Sequence, residues 1–219
     1  MNQVEKSERG WRGSPDLWLD AAYEALVTGG VEQVKVLPLA EKLGLSRTSF
    51  YHHFADRDAL LAALLARWQG QNSVNLVAQT RAYAGSVAEA MLNVIDCWLR
   101  PDLFDSAMEF AVRMWALGAP DLTRTLATED DLRITALQQM FIRHGFDATQ
   151  ADTRARATYL TQIGYIVLRT VEPADLRLSR IPAYVETLAG QAPTDAEMAR
   201  FLARHTRGTV TLTADSSQI

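Results

Sequence analysis

Seven side chains in a short stretch have types and spacing that could do chemistry: Lys35, Arg47, Thr48, Ser49, Tyr51, His52 and Arg57. Every one of them can donate hydrogen bonds and none is an acid, so the set suits an anionic, acceptor-rich surface. Arg47 can make paired hydrogen bonds to guanine or grip a phosphate. Thr48 and Ser49 can reach base edges or phosphates, and Tyr51 and His52 can donate to phosphate oxygens. Lys35 before this stretch and Arg57 after it are placed to clamp a nucleic-acid backbone on either side. On a helix Thr48 shares a face with His52, and Arg47 with Tyr51, each pair four residues apart, while Leu45, Phe50 and Phe54 turn inward.

Elements that could hold this face are written on both sides of it. Ser14-Pro15-Asp16 starts a first helix with a Ser cap, a Pro at the first position and an acid at the positive helix end. Trp18, Ala22, Ala25 and Leu26 form its apolar face and Gly29-Gly30 ends it. Pro38 opens a second, short helix through Leu39, Ala40 and Leu43 that stops at Gly44, because glycine tolerates the left-handed position after a helix. Ser46 caps the third, and Asp56 caps a fourth with the stripe Leu60, Leu61, Leu64, Leu65 and Trp68. Two short helices joined by Gly44-Leu45-Ser46 and braced by a preceding helix have the layout of a helix-turn-helix DNA reader.

Beyond Gln69 the pattern predicts longer helices at about 86–99, 103–117, 120–144, 148–171 and 180–189, with an open question whether Thr128-Glu129-Asp130-Asp131 interrupts the third. Ser86-Val87-Ala88-Glu89 and Thr194-Asp195-Ala196-Glu197 both match the capping box. Period-two alternation occurs only at Thr209-Val210-Thr211-Leu212-Thr213, so the expected fold class is all-α.

Composition sets the bounds. The 219 residues carry 22 Lys and Arg against 26 Asp and Glu, a net charge of −4, and are 48% hydrophobic, which excludes general disorder and a nonspecific, charge-driven DNA coat. Residues 1–68 hold eight basic and nine acidic side chains, so any DNA contact rests on a few residues, Lys35, Arg47, Arg57 and N-terminal Arg9 and Arg12. No run of about 18 apolar residues predicts a membrane span, and a polar N-terminus with a single cysteine, Cys97, fits the cytoplasm. Cys97 reads as a small buried hydrophobe, with a redox sensor as the other reading. His52 and His53 point about 100° apart on a helix and cannot share an ion, so no metal is expected. No catalytic constellation and no cofactor motif stands out, and no enzyme is expected.

The run Leu39-Ala40-Glu41-Lys42-Leu43-Gly44-Leu45-Ser46-Arg47-Thr48-Ser49-Phe50-Tyr51-His52-His53-Phe54-Ala55-Asp56-Arg57-Asp58-Ala59-Leu60-Leu61 resembles the signature of the tetracycline-repressor (TetR) family of transcriptional regulators. The likeness covers about residues 14–68, and Tyr51-His52-His53-Phe54 is its most specific part. The chain departs from it at Val34, which has no side-chain donor, and at Leu37, where some relatives place a base-reading Arg. The resemblance implies an N-terminal three-helix DNA-binding domain joined to a larger helical ligand-binding and dimerisation domain. The expected divisions are an arm at 1–13, the helix-turn-helix domain at 14–58, the ligand-binding and dimerisation domain at 59–206 and a tail at 207–219.

For a ligand pocket the C-terminal half offers Trp98, Phe104, Met108, Trp115, Phe141 and Tyr165, which suit a medium-sized apolar or aromatic effector. For the four-helix seam of a homodimer it offers Tyr159, Ile163, Ile166, Val167, Tyr184 and Leu188. The same pattern would also come from ordinary packing within one chain. The expected function is a homodimeric repressor released from palindromic double-stranded operator DNA by a small molecule. The alternatives are a constitutive DNA binder without an effector and a helical enzyme carrying a helix-turn-helix unit.

Overall fold

The computed structural model describes residues 13–205, all of whose regular structure is helical. The helices are α1 (Pro15–Gly29), α2 (Val36–Leu43), α3 (Arg47–Phe50), α4 (Arg57–Trp68), α5 (Val74–Thr80), α6 (Val87–Leu99), α7 (Ser106–Ala116), α8 (Pro120–Arg143), α9 (Ala148–Val167), α10 (Ala174–Ser179), α11 (Ile181–Ala189) and α12 (Asp195–His205). A 3₁₀ turn covers Val31–Gln33 and a π-helical turn covers Gln69–Ser73. The chain is thus all-α, as its hydrophobic periodicity predicts. The arm with Arg9 and Arg12, the tail at 207–219 and the alternating stretch at 209–213 lie outside the described residues.

Helix starts follow the capping chemistry closely. Ser14 Oγ accepts from Leu17 N–H at 3.2 Å, Ser46 Oγ from Ser49 N–H at 3.2 Å and Asp56 Oδ1 from Ala59 N–H at 2.8 Å. Two helices, α5 and α10, are too short to show a periodicity and escape the sequence reading. α8 runs unbroken through Thr128-Glu129-Asp130-Asp131, and α7 begins at Ser106 rather than near 103 because Asp105 Oδ1 caps Met108 N–H at 2.8 Å.

Two compact units partition the chain. Among the described residues the first comprises 13–71 together with 105–127, and the second comprises 72–104 and 128–205. In the first, α1 to α4, α7 and the start of α8 share one core that includes Trp18, Leu39, Phe50, Leu64, Trp68 and Val112. Fully buried Trp18 and Phe50 meet edge to face at 5.2 Å, so α3 is pinned to α1 by its last residue. The end of α4 is fixed to α7 by a polar contact: Trp68 Nε1–H donates to buried Glu109 Oε2 at 2.7 Å, and Glu109 pairs with Arg113 at 2.8 Å.

The second unit is built around α6, whose 11 buried positions among 13 make it apolar nearly all round, as a central helix must be. The two capping boxes meet here. Thr194 and Glu197 exchange hydrogen bonds of 2.7 and 3.3 Å, and the Ser86 hydroxyl donates to the other oxygen of Glu197, joining the start of α12 to the start of α6. Arg133 is fully buried, its guanidinium donating to Ser73 Oγ at 2.9 Å and Tyr159 Oη at 3.0 Å. Those hydroxyls pass hydrogen bonds to Glu129 and Asp130, so the buried cation is matched by carboxylates through relays.

Several expected ligand and seam residues are absorbed by these cores. Met108 is buried in the first unit and Trp115 packs against the same core. Phe104 lies under the Arg133 guanidinium at 5.7 Å, and Phe141 packs on Phe146 at 5.6 Å, both fully interior. Tyr159 belongs to the Arg133 network and Ile166 is buried, so neither presents itself to a second chain. Helical spacing alone cannot distinguish the inside of one unit from a cavity wall or a seam, because all three want apolar residues at three and four.

Candidate nucleic-acid interface and ligand cleft

The turn between α2 and α3 depends on Gly44, which adopts φ +65° at the left-handed position, a conformation that costs a side chain with a Cβ on the order of 1 kcal/mol. Leu45 then packs into the core and Ser46 caps α3 at once. The Trp18–Phe50 contact and Phe50–Phe54 stacking at 5.6 Å hold the inner side of α3. What remains outside is Arg47 and Thr48, followed by Tyr51 and His52 in the turn beyond the helix, all exposed. Tyr51 is 51% exposed and rests its ring edge on Phe50 at 5.2 Å, so its hydroxyl is carried on a supported ring. Lys35 is exposed at the entrance to α2.

Two of the expected contact residues are less open than the others. Ser49 is only 5% exposed, on the inner side with Phe50, because adjacent helical positions diverge by about 100° and the exposed side is already set by Arg47 and Thr48. Arg57 is half-buried and donates from Nε to Val34 O at 2.6 Å and from Nη2 to Val31 O at 2.7 Å. Its guanidinium ties the start of α4 to the loop that leads into Lys35. Buried Val34 turns its side chain to the core and its carbonyl to Arg57, which accounts for an apolar residue there. Sequence reasoning missed this brace, since a carbonyl acceptor carries no residue-type signal. Leu37, 52% exposed in the first turn of α2, is an apolar group on the same small element.

In the second unit a half-open cleft lies among α6, α9, α10 and α11, with a cavity volume of about 60 Å³. Of the six expected ligand residues only Trp98 and Tyr165 line it. Thr158, Gln162, Arg177 and Tyr184 join them. The Tyr165 and Tyr184 hydroxyls are 2.7 Å apart, and that hydrogen bond, followed by burial, raises the Tyr184 phenol above its ordinary range. The Arg177 guanidinium sits 5.3 Å from the Tyr165 ring centroid. Ile163, Tyr184 and Leu188 are half-buried, whereas Leu160, Val167 and Leu168 are exposed along α9 and just past its end.

Cys97 is completely buried, and that burial, then the neighbouring Asp96, raises its thiol to about 12. A thiolate is thereby suppressed, which favours the small-hydrophobe reading over the redox sensor. Among the described residues no group of three or more His, Cys, Asp or Glu is gathered to hold a metal, and no helix is long and apolar enough to cross a membrane.

A capped helix presented by a left-handed glycine turn, in an all-helical chain, is the arrangement of a helix-turn-helix unit. Residues 19–64 match the family described as bacterial regulatory proteins, tetR family, and the match is confined to this N-terminal segment. Solved structures agree on the fold. A transcriptional regulator from Rhodococcus sp. Rha1 is 22% identical, with 88% of this chain and 97% of that chain covered and a TM-score of 0.57. Mycobacterium smegmatis AmtR is 20% identical over 90% of this chain and 96% of its own, and Salmonella enterica GusR 15% identical over 86% and 95%, each at a TM-score of 0.61. No curated protein matches the chain.

Proposed function

We propose that this TetR-family regulator is a cytoplasmic homodimeric repressor that binds a palindromic operator and is released by a small molecule. In this reading residues 14–58 read DNA, and residues 59–206 hold the effector and the dimer seam. The observation that carries it is the exposed quartet Arg47, Thr48, Tyr51 and His52, displayed on a capped helix and the turn that follows it, with the other side locked by Phe50. Arg47 and Thr48 read base edges, Tyr51, His52 and Lys35 bond phosphates, and Arg57 holds Lys35 and α2 in register. Ser49 supports the helix from within.

Two such heads fit one duplex face when their recognition helices enter successive major grooves about 34–36 Å apart. The seam is the exposed side of α9, where Leu160, Val167 and Leu168 form an apolar stripe with Gly164 between them and Ala157 one turn before. Ile163, Tyr184 and Leu188 flank it. An effector releases DNA only if it binds the non-operator conformation more tightly than the operator-bound one.

The test is selection of bound duplexes from a random pool, followed by salt-dependent titration of the winner. A two-fold symmetric site is expected. Arg47→Ala should lower operator affinity by about ten- to a hundredfold while circular dichroism stays unchanged. No selected sequence, or an unaltered titration in Arg47→Ala, removes the reading, and a monomer in sedimentation at micromolar concentration removes the dimer.

A further inference from the structure

Helix α12 is fastened to α6 by a row of polar contacts in constant register. The Ser86 hydroxyl donates to Glu197, Arg200 donates to Glu89 at 2.7 and 3.0 Å, and Arg204 donates to Asn93 at 3.5 Å. Each of these pairs is 111 residues apart in sequence, so the two helices run parallel without slipping. On α6 the partners stand at 86, 89, 93 and 96, the three-and-four spacing of one helix face. Asp96 closes the row, its carboxylate 3.4 Å from Arg204 Nε and 2.8 Å from His205 Nε2.

Charge and burial identify what holds α12 in place. On α6 the row presents the carboxylates of Glu89 and Asp96, and α12 answers with Arg200, Arg204 and His205. The buried residues of α12 are Glu197, Phe201 and His205, so one large apolar side chain is fully covered. A helix docked by the hydrophobic effect would bury a broad apolar stripe instead. The Arg200 and Arg204 side chains remain 55% and 37% exposed, so water and dissolved ions reach these pairs and weaken them. Residues 190–194 alone link α12 back to α11, beginning at Gly190 in the left-handed conformation with φ +75°.

The row also bears on the opposite side of α6. At about 100° per residue it is centred away from Ile95, Trp98 and Leu99, which line the cleft. α12 thus grips from behind the helix that forms one cleft wall.

We propose that α12 is an electrostatic strap that opens as a unit when its charges are screened, ahead of the rest of the second unit, and that in its closed state it stiffens the α6 wall. The device is independent of what the chain binds, because it needs only the contacts between these two helices.

The experiment is amide hydrogen exchange of the full chain, read by mass spectrometry in potassium chloride. Raising the salt from about 0.1 M to about 1 M shortens the screening length from about 10 Å to about 3 Å. Amides of α12 should then exchange about tenfold faster, while those of α9 and α11 change by less than about twofold. The double variant Arg200→Gln with Arg204→Gln leaves α6 and Phe201 untouched. Its α12 should exchange about tenfold faster already at the lower salt and respond little to more, with the amides of 95–99 about threefold faster. Glu89→Gln and Arg200→Gln remove the two ends of one pair, so their effects on α12 should not add. The salt series on the unaltered chain reads the strap even if a variant folds poorly. An α12 whose exchange ignores salt, or rises only in step with α9 and α11, overturns the strap. So does a double variant that exchanges like the unaltered chain. Amides of 95–99 that stay unchanged while α12 opens overturn the stiffening of α6.

Discussion

The reading head and the cleft use similar donors in opposite states. In the head, Arg47, Thr48, Tyr51 and His52 stand in solvent, where water satisfies each of them, and only their backbone support is fixed. In the cleft, Trp98 and Thr158 have been taken out of water and left without partners. Exposed donors cost the fold almost nothing, so a large polar target such as a duplex can collect many of them, weakly and reversibly. A buried polar group without a partner is instead a standing cost to the fold.

The largest effect should come from the packing that the head depends on. Trp18→Ala opens a cavity beside Phe50 and should cost about 3–5 kcal/mol, read as a drop in the denaturation midpoint together with loss of operator binding. Arg47→Ala, by contrast, should move stability by no more than about 0.5 kcal/mol. If the two variants lose DNA binding with equal loss of fold, the division between support and contact is broken.

Arg57→Ala comes next. It removes charge-assisted hydrogen bonds to Val31 O and Val34 O and should cost about 1.5–3 kcal/mol in chemical denaturation. A phosphate clamp would instead leave stability alone and reduce the salt slope of DNA binding by about one. The two outcomes decide between bracing and contact.

Thr158→Val should have the opposite sign from an ordinary core substitution. It removes an unpartnered hydroxyl at nearly constant shape, so the melting midpoint should hold or rise by the equivalent of up to about 1 kcal/mol. A marked loss of stability would mean that the hydroxyl is satisfied and the contrast between head and cleft is weaker than described.

The smallest effect expected is on pH. Burial lowers the His205 imidazole below its usual range, with Asp96 pulling it back up and Arg204 and Arg100 pushing it down. The Ser86 hydroxyl and then the Thr194 groups lower Glu197 against the opposing effect of burial. Both groups bind protons more readily in the unfolded chain. His205 therefore contributes stability that is full above its unfolded value of 6.5 and is lost as pH falls through its lower folded value. Glu197 does the same below 4.5. Thermal melts from pH 7 down to 4 should show the fall, and His205→Gln should flatten its upper part.

Much of this was legible in the sequence because it is local. A cap and the amides it serves lie three residues apart, which is why Ser14, Ser46, Asp56, Ser86 and Thr194 could each be read before any packing was known. The exposure of Arg47 and Thr48 follows from a rotation of about 100° per residue, and the same rotation turns Ser49 inward. Arg57 was read by its charge, while its partners are carbonyls 23 and 26 residues away. The cleft was hardest: Trp98 and Tyr165 were found among the aromatics, but Thr158, Gln162 and Arg177 were not, since hydrophobic spacing says nothing about polar groups that converge from separate helices.

The sequence by itself determined the class of the molecule: an all-helical chain whose Leu39-to-Leu61 run encodes a capped helix-turn-helix with a donor-rich outer face. Those properties come from hydrogen bonds and periodicities spanning a few residues, which composition and order specify directly. Only the tertiary structure decided that Met108 and Phe141 are core, that Tyr159 serves a buried arginine, that Arg57 braces the head, and that Trp98 and Thr158 line one cleft. Each of those depends on which distant residue arrives alongside, and burial turns an ordinary polar side chain into either a satisfied strut or a group without a partner.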